Sequence, residues 1–158
     1  METIEGLLAE HPVFKGLDSK YIALMVGCAS NVRFNAGEFI VHDGDEGNEF
    51  FLIRHGSVAL DVYSPTRGPI TFLTLDPGEV ICWEWLVQPY RVHGDARALE
   101  LVRAIRIDAA CLRRKFEEDH ELERELLRRF VPIIVERVEA LTMQLLDVYA
   151  VRSPQVSL

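Results

Sequence analysis

Between Val32 and Asp108 the chain is a succession of short apolar segments, VRF, EFIV, FFLIR, SVALDVY, ITFLTL, ARALEL and VRAIRI, many of them alternating apolar with polar residues. The breaks between them carry NAG, DGDEGN, RHG, PTRGP and DPG. Glycine there supplies the positive φ that a tight turn needs, and aspartate or asparagine bonds its own backbone. A period of two turns one face of each segment toward a core, so strands this short and this closely spaced predict an antiparallel β-sandwich or jelly roll.

On both sides of this region the period is helical. Asp18 predicts the N-cap of a helix through SKYIALMVGCA that ends near Ala29, with Tyr21, Leu24, Met25 and Cys28 on one face. Asp108 is the corresponding cap for DAACLRRKFEE, and a long helix is expected from about Glu121 to Tyr149. Pro132 lies inside that helix. A proline in a helix interior costs roughly 3 kcal/mol, which predicts a kink or restart near Arg128 to Pro132.

Beyond the proline, Ile134, Val138, Leu141, Leu145 and Val148 alternate spacings of four and three, and Leu127 with Val131 extends the series backwards. That is a coiled-coil seam. Leu126, Phe130 and Ile133 form a second apolar face, enough to dock the helix on its own domain, which leaves the seam for a second copy of the chain. The expected organisation is one domain over 1–158: helices in 1–31, a β-roll in 32–108 and helices in 109–150.

Composition narrows the function. With 158 residues, 49% hydrophobic and 27% charged, the chain can bury a continuous core, and no apolar run approaches the length of a membrane span. The start, METIEGLLAEHPVFKG, carries Glu2, Glu5 and Glu10 where a secretory signal needs a basic start and an apolar stretch, so a cytoplasmic location is expected. A formal net charge of −8 opposes a broad phosphate-binding surface. Cys28, Cys82 and Cys111 are odd in number and far apart, with no C-x-x-C pair, and are expected as buried reduced thiols. His11, His42, His55, His93 and His120 never form the H-x-H spacing of a metal-binding jelly-roll enzyme, so no metal site and no catalytic residue are expected. A haem held by Cys82 and His93 is likewise disfavoured.

The stretch FNAGEFIVHDGDEGNEFFLIRHGSVALDV resembles the cyclic-nucleotide-binding domain superfamily. Gly37-Glu38-Phe39-Ile40, Gly44-Asp45, Phe50 to Ile53 and Gly56-Ser57-Val58 fill the shared pattern in order. The resemblance covers almost the whole chain and implies a mainly β architecture, a β-roll with an amino-terminal helix and a long carboxy-terminal dimerisation helix like that of the catabolite activator and fumarate–nitrate regulators. It also implies that the stretch GEVICWEWLVQPYRVHGDARAL, Gly78 to Leu99, holds the phosphate-binding cassette at 78–98. In such a cassette, backbone N–H groups and an arginine hold the cyclic phosphate, and a glutamate accepts from the ribose hydroxyl.

Here the family's anchors are displaced. The usual glycine falls on Cys82 and the usual glutamate on Trp83; the usual proline falls on Arg91, the phosphate arginine on Val92 and the small hydroxyl on His93. Glu84 and Arg91 stand one position from the expected charges, and Arg97 lies farther along the next strand. Trp83 and Trp85 are expected to fill the vacated pocket rather than stack a ligand. The candidate ligand-binding set is therefore Cys82, Trp83, Glu84, Trp85, Arg91, Val92, His93 and Arg97, and the candidate dimer interface is Ile134, Val138, Leu141, Leu145 and Val148.

The expected function is a non-enzymatic regulatory or sensor module without a cofactor, which binds cyclic AMP or cyclic GMP poorly and acts through a homodimer and a protein partner. An ordinary cyclic-nucleotide sensor with an atypical cassette is the alternative, and a cupin-like metal enzyme a distant third. Transcriptional relatives place a helix-turn-helix after the dimer helix, whereas AVRSPQVSL is all that follows Tyr149, so DNA binding is not expected.

Overall fold

The computed structural model describes residues 2–152. Residues 153–158, on which the expectation about DNA partly rests, lie outside the described residues. Two four-stranded antiparallel sheets face each other. One has the order β1 (Ala29–Phe34), β8 (Val102–Asp108), β3 (Glu49–His55), β6 (Val80–Ile81); the other has the order β2 (Phe39–Val41), β7 (Asp95–Ala98), β4 (Val58–Ser64), β5 (Gly68–Leu75). Helices α1 (Ile4–Glu10), α2 (Ser19–Val26), α3 (Ala109–Glu118) and α4 (His120–Arg152) flank them. This is the expected β-roll with a long terminal helix. No helix among the described residues is long and apolar enough to cross a membrane.

Both predicted caps form. An Asp18 oxygen accepts from Lys20 N at 3.0 Å and an Asp108 oxygen from Cys111 N at 2.9 Å, each satisfying a donor that the helix start leaves free. In the RHG turn, Gly56 has φ +88°, and a Cβ there would stand 2.3 Å from the Leu101 carbonyl oxygen. Only glycine allows that approach.

Strand β3 breaks the alternation rule, because Phe50, Phe51, Leu52 and Ile53 are all buried. One face looks into the sandwich. The other is covered by helix, with Phe50 edge-on to Phe130 of α4 at 5.3 Å. Leu126 and Phe130 are fully buried and Ile133 packs at the rim, so the second apolar face of α4 docks the helix as its spacing implied. Arg129 adds hydrogen bonds to the carbonyls of Val13 and Lys15, each 3.0 Å. Part of the seam faces the other way: Val138 is 57% exposed and Leu145 56%, while Ile134 is half-buried.

Three local expectations are corrected. Helix α2 stops at Val26 rather than Ala29, because the chain is already β1 at Ala29, paired with Ile107. Helix α4 runs on through Pro132, so the restart expected there does not occur. Arg128 and Pro132 are both exposed there, so a carbonyl freed by the missing N–H meets solvent, while buried Phe130 holds the turn in place.

The cysteines are the third correction. Cys28 and Cys111 form a disulfide, with Cα atoms 5.8 Å apart across 83 residues of sequence. Cys28 immediately precedes β1 and Cys111 follows β8 by one turn of helix. The antiparallel pairing of those strands brings the two ends together, and the Asp108 N–H donates to the Cys28 carbonyl at 2.8 Å. Cys82 alone is a buried thiol.

Candidate functional site

The cassette begins where β6 pairs with β3, Ile81 opposite Phe51 and Val80 opposite Leu52. Cys82 follows with φ +72°, so a cysteine holds the left-handed conformation that favours glycine. Burial pushes its thiol pKa up, and the nearby Glu84 charge acts in the same direction. A single 3-10 turn, Glu84–Leu86, completes the bend.

Glu84 is buried, and its carboxylate is engaged inside the cassette. One oxygen accepts from the Trp83 N–H at 3.0 Å and the other from the His93 N–H at 3.3 Å. Neighbouring donors are engaged as well. Gly94 N–H donates to Asp43 at 2.7 Å, Asp43 N–H to Asp95 at 2.8 Å, and Val92 N–H to the Asp45 carbonyl at 2.9 Å. The backbone donors from Val92 to Gly94 that could attract an external anion thus already hold acceptors of this chain.

Beside the cassette lies a cavity of about 320 Å³. Val41, Leu60, Val62, Phe72, Ile81, Val92 and Ala96 make its apolar walls; Cys82, Trp83, Glu84, His93 and Asp95 make one polar edge; Arg137 and Leu141 of α4 reach in from above. Arg137 donates to the Val80 carbonyl. Burial pulls its pKa below the ordinary arginine value, against the opposing pull of Glu84. Gln144 donates to the Phe72 carbonyl, so the same stretch of α4 is also tied to β5.

The structure divides the predicted set. Cys82, Trp83, Glu84, Val92 and His93 line the cavity together. Trp85 does not: it is fully buried, stacked on Phe50 at 4.5 Å and 12° and edge-on to Phe130 at 5.2 Å. Arg91 is exposed, with its guanidinium on the Gly44 carbonyl at 3.3 Å, outside the cavity lining. Arg97 is also absent from the lining, because it pairs at 3.3 Å with Asp61, a buried carboxylate that needs a counter-charge. Leu141, expected in the dimer seam, contributes to the cavity.

Sequence reasoning missed Arg137 and Arg113. From α3, Arg113 donates to the carbonyls of Gly47 and Trp85 at 3.0 and 2.9 Å and to the Asn48 side chain at 2.9 Å, and lies over the Tyr90 ring at 4.2 Å. It ties the cassette to the helix leading into α4. The only sequence signal for Arg137 was a cation directly beside an apolar seam, which reads equally well as a solvated flank.

Residues 31–119 match the family model described as the cyclic nucleotide-binding domain. A CRP-like cAMP-activated global transcriptional regulator from Mycobacterium tuberculosis is 22% identical over 125 residues, 79% of this chain and 56% of that protein, so the chain spans little more than half of the relative's length. Among solved structures, one assigned as a cyclic nucleotide-binding protein from Geobacter metallireducens superposes with a TM-score of 0.76 at 22% identity, covering 87% of this chain and 99% of the other. The regulatory subunit of a cAMP-independent protein kinase A from Trypanosoma cruzi, bound to guanosine, gives a TM-score of 0.63 at 25% identity over 77% and 41% of the two chains.

Proposed function

Since this chain belongs to the cyclic nucleotide-binding domain family, we propose that it is a non-enzymatic regulatory module whose sensing site is the cavity beneath α4 and whose cassette does not hold a cyclic phosphate in the usual way. The engagement of Glu84 with the Trp83 and His93 N–H groups carries this reading. An incoming phosphate would have to displace a buried carboxylate from its donors and then stand beside its charge. Neither arginine near the cassette loop compensates, because Val92 occupies the expected place and Arg91 and Arg97 are bonded elsewhere. Each charge-assisted hydrogen bond contributes about 1.5–3 kcal/mol, so losing two anchors weakens binding by about 10² to 10⁴.

Output runs through the long helix. Trp85 in the cassette touches Phe130, and Arg137 and Leu141 border the cavity, so a change in either region is felt on α4. The exposed Val138, Leu145 and Val148 then present a homodimer face, and a protein partner reads the assembled pair. The T. cruzi subunit, cAMP-independent and bound to guanosine, offers a precedent within the fold for a ligand other than cyclic AMP. The likeness to a cAMP-activated regulator favours the second reading, an ordinary sensor with an atypical cassette.

Calorimetric titration with cyclic AMP and cyclic GMP separates the two. Absence of low-micromolar binding is the expected result. Low-micromolar binding of either nucleotide would overturn the proposal and establish the second reading.

A further inference from the structure

Resting on the reading of this cavity as the sensing site, we infer that it takes a small, mostly apolar monocarboxylate whose head group pairs with Arg137. At about 320 Å³ the cavity is near the lower end of small-molecule sites. Its walls are aliphatic and aromatic, which suits a hydrocarbon or aryl body far better than a sugar phosphate.

The half-buried guanidinium sets the head group. Among the described residues Arg137 forms no ion pair, and its hydrogen bond is to the Val80 carbonyl, leaving most of its five N–H donors for another partner. A cation removed from water is costly until a charge-matched acceptor joins it, and a carboxylate meets a guanidinium with two parallel hydrogen bonds. Glu84 favours the charge from nearby but forms no ion pair with it, and both of its oxygens already accept from backbone N–H groups. Asp95 also forms no ion pair with Arg137; its carboxylate holds the Asp43 N–H and faces His42.

Those two wall carboxylates also set the charge. One negative group facing Arg137 is matched by one positive group, whereas a dicarboxylate would turn its second charge toward an apolar wall or toward Glu84 and Asp95. Position then links binding to output. Arg137 lies one residue from Val138, which is exposed on the seam side of the same helix, so pulling the guanidinium toward a ligand bears directly on the dimer face.

The test is a titration panel followed by calorimetry and by Trp83 fluorescence. It comprises straight-chain acids from butanoate to decanoate, benzoate and naphthoate, the primary amide of each, and suberate as the dicarboxylate counterpart of octanoate. At least one acid is expected to bind ten-fold or more tightly than its amide, and octanoate more tightly than suberate. Arg137→Gln should erase the preference for acid over amide. Leu141→Trp, which keeps Arg137 and fills the space beneath α4, should abolish binding of acids and amides alike, so the conclusion does not depend on one variant folding. Amides binding as tightly as acids, or a preference that survives Arg137→Gln, would overturn the carboxylate inference while leaving a sensing cavity. If no acid and no amide binds, the inference falls together with the reading of the cavity as the sensing site.

Discussion

The buried carboxylate of Glu84 accepts a hydrogen bond from the backbone N–H of His93 at 3.3 Å, closing the cassette loop across nine residues. Its other oxygen holds the Trp83 N–H at 3.0 Å. An anion belonging to the chain itself therefore bridges the two sides of the loop, the role an external phosphate plays in a cassette with open donors.

Glu84→Ala should expose that role. Two backbone donors lose their acceptor in a part-buried site, and the expected destabilisation is about 2–4 kcal/mol, read from urea unfolding. Inorganic phosphate should raise the melting temperature of this variant more than that of the parent. Equal stability of variant and parent would mean that the carboxylate does not hold the loop together.

The cross-link between Cys28 and Cys111 closes a long loop, and loop-closure entropy assigns such a bond about 4.5 kcal/mol. Cys28→Ser with Cys111→Ser should lower the denaturation midpoint accordingly. In the parent, a thiol reagent should titrate no cysteine in the native state, because Cys82 is buried and its thiol pKa is raised. Unfolding without reductant should release one thiol, and unfolding with reductant three. Three thiols without reductant would show the bond absent.

His11 makes stability depend on pH. Its Nδ1 accepts from Val13 N–H at 3.3 Å, which leaves Nε2 to donate to the Ile53 carbonyl at 3.2 Å, a neutral ring with both nitrogens engaged. Burial lowers its pKa below the ordinary 6.5. The unfolded chain then binds a proton that the native chain refuses, so stability falls as pH drops below 6.5 toward the folded pKa and is unaffected by this group well above 6.5. His11→Gln should flatten that part of the curve. An unchanged slope would assign it to other groups.

The seam on α4 is tested at residues that do not border the cavity. Val138→Asp with Leu145→Asp should convert a dimer to a monomer in light scattering, since an unpaired charge in a two-helix interface costs several kcal/mol. Both side chains are exposed in the single chain, so its own fold should survive, with far-ultraviolet circular dichroism unchanged. A monomeric parent would remove the dimer from the proposed function.

Local signals carried most of the architecture. Alternation and turn glycines located the strands from Val32 onward, and Asp18 and Asp108 announced their helices because a cap acts within three residues of itself. The docking face of α4, Leu126 and Phe130, was equally legible from its 3.6-residue period, whereas the spacing of the other stripe gave no sign that Leu141 would border the cavity. Strand β6 escaped notice, as two residues, Val80 and Ile81, carry no period at all.

What the chain order alone determined was therefore whatever neighbours within a few residues could settle: strand, turn, cap, helix face, and the displacement of the cassette's charges. Tertiary structure decided the rest, because each remaining feature joins residues that only folding brings together. Pairing of β1 with β8 set Cys28 beside Cys111, the cassette's bend turned Glu84 onto the His93 N–H and Trp85 into the core, and docking of α4 carried Arg137 over the cavity. A side chain one position along an irregular loop, or one step around a helix, points somewhere that no spacing rule predicts, and here that direction separates a solvated arginine from one that borders the site.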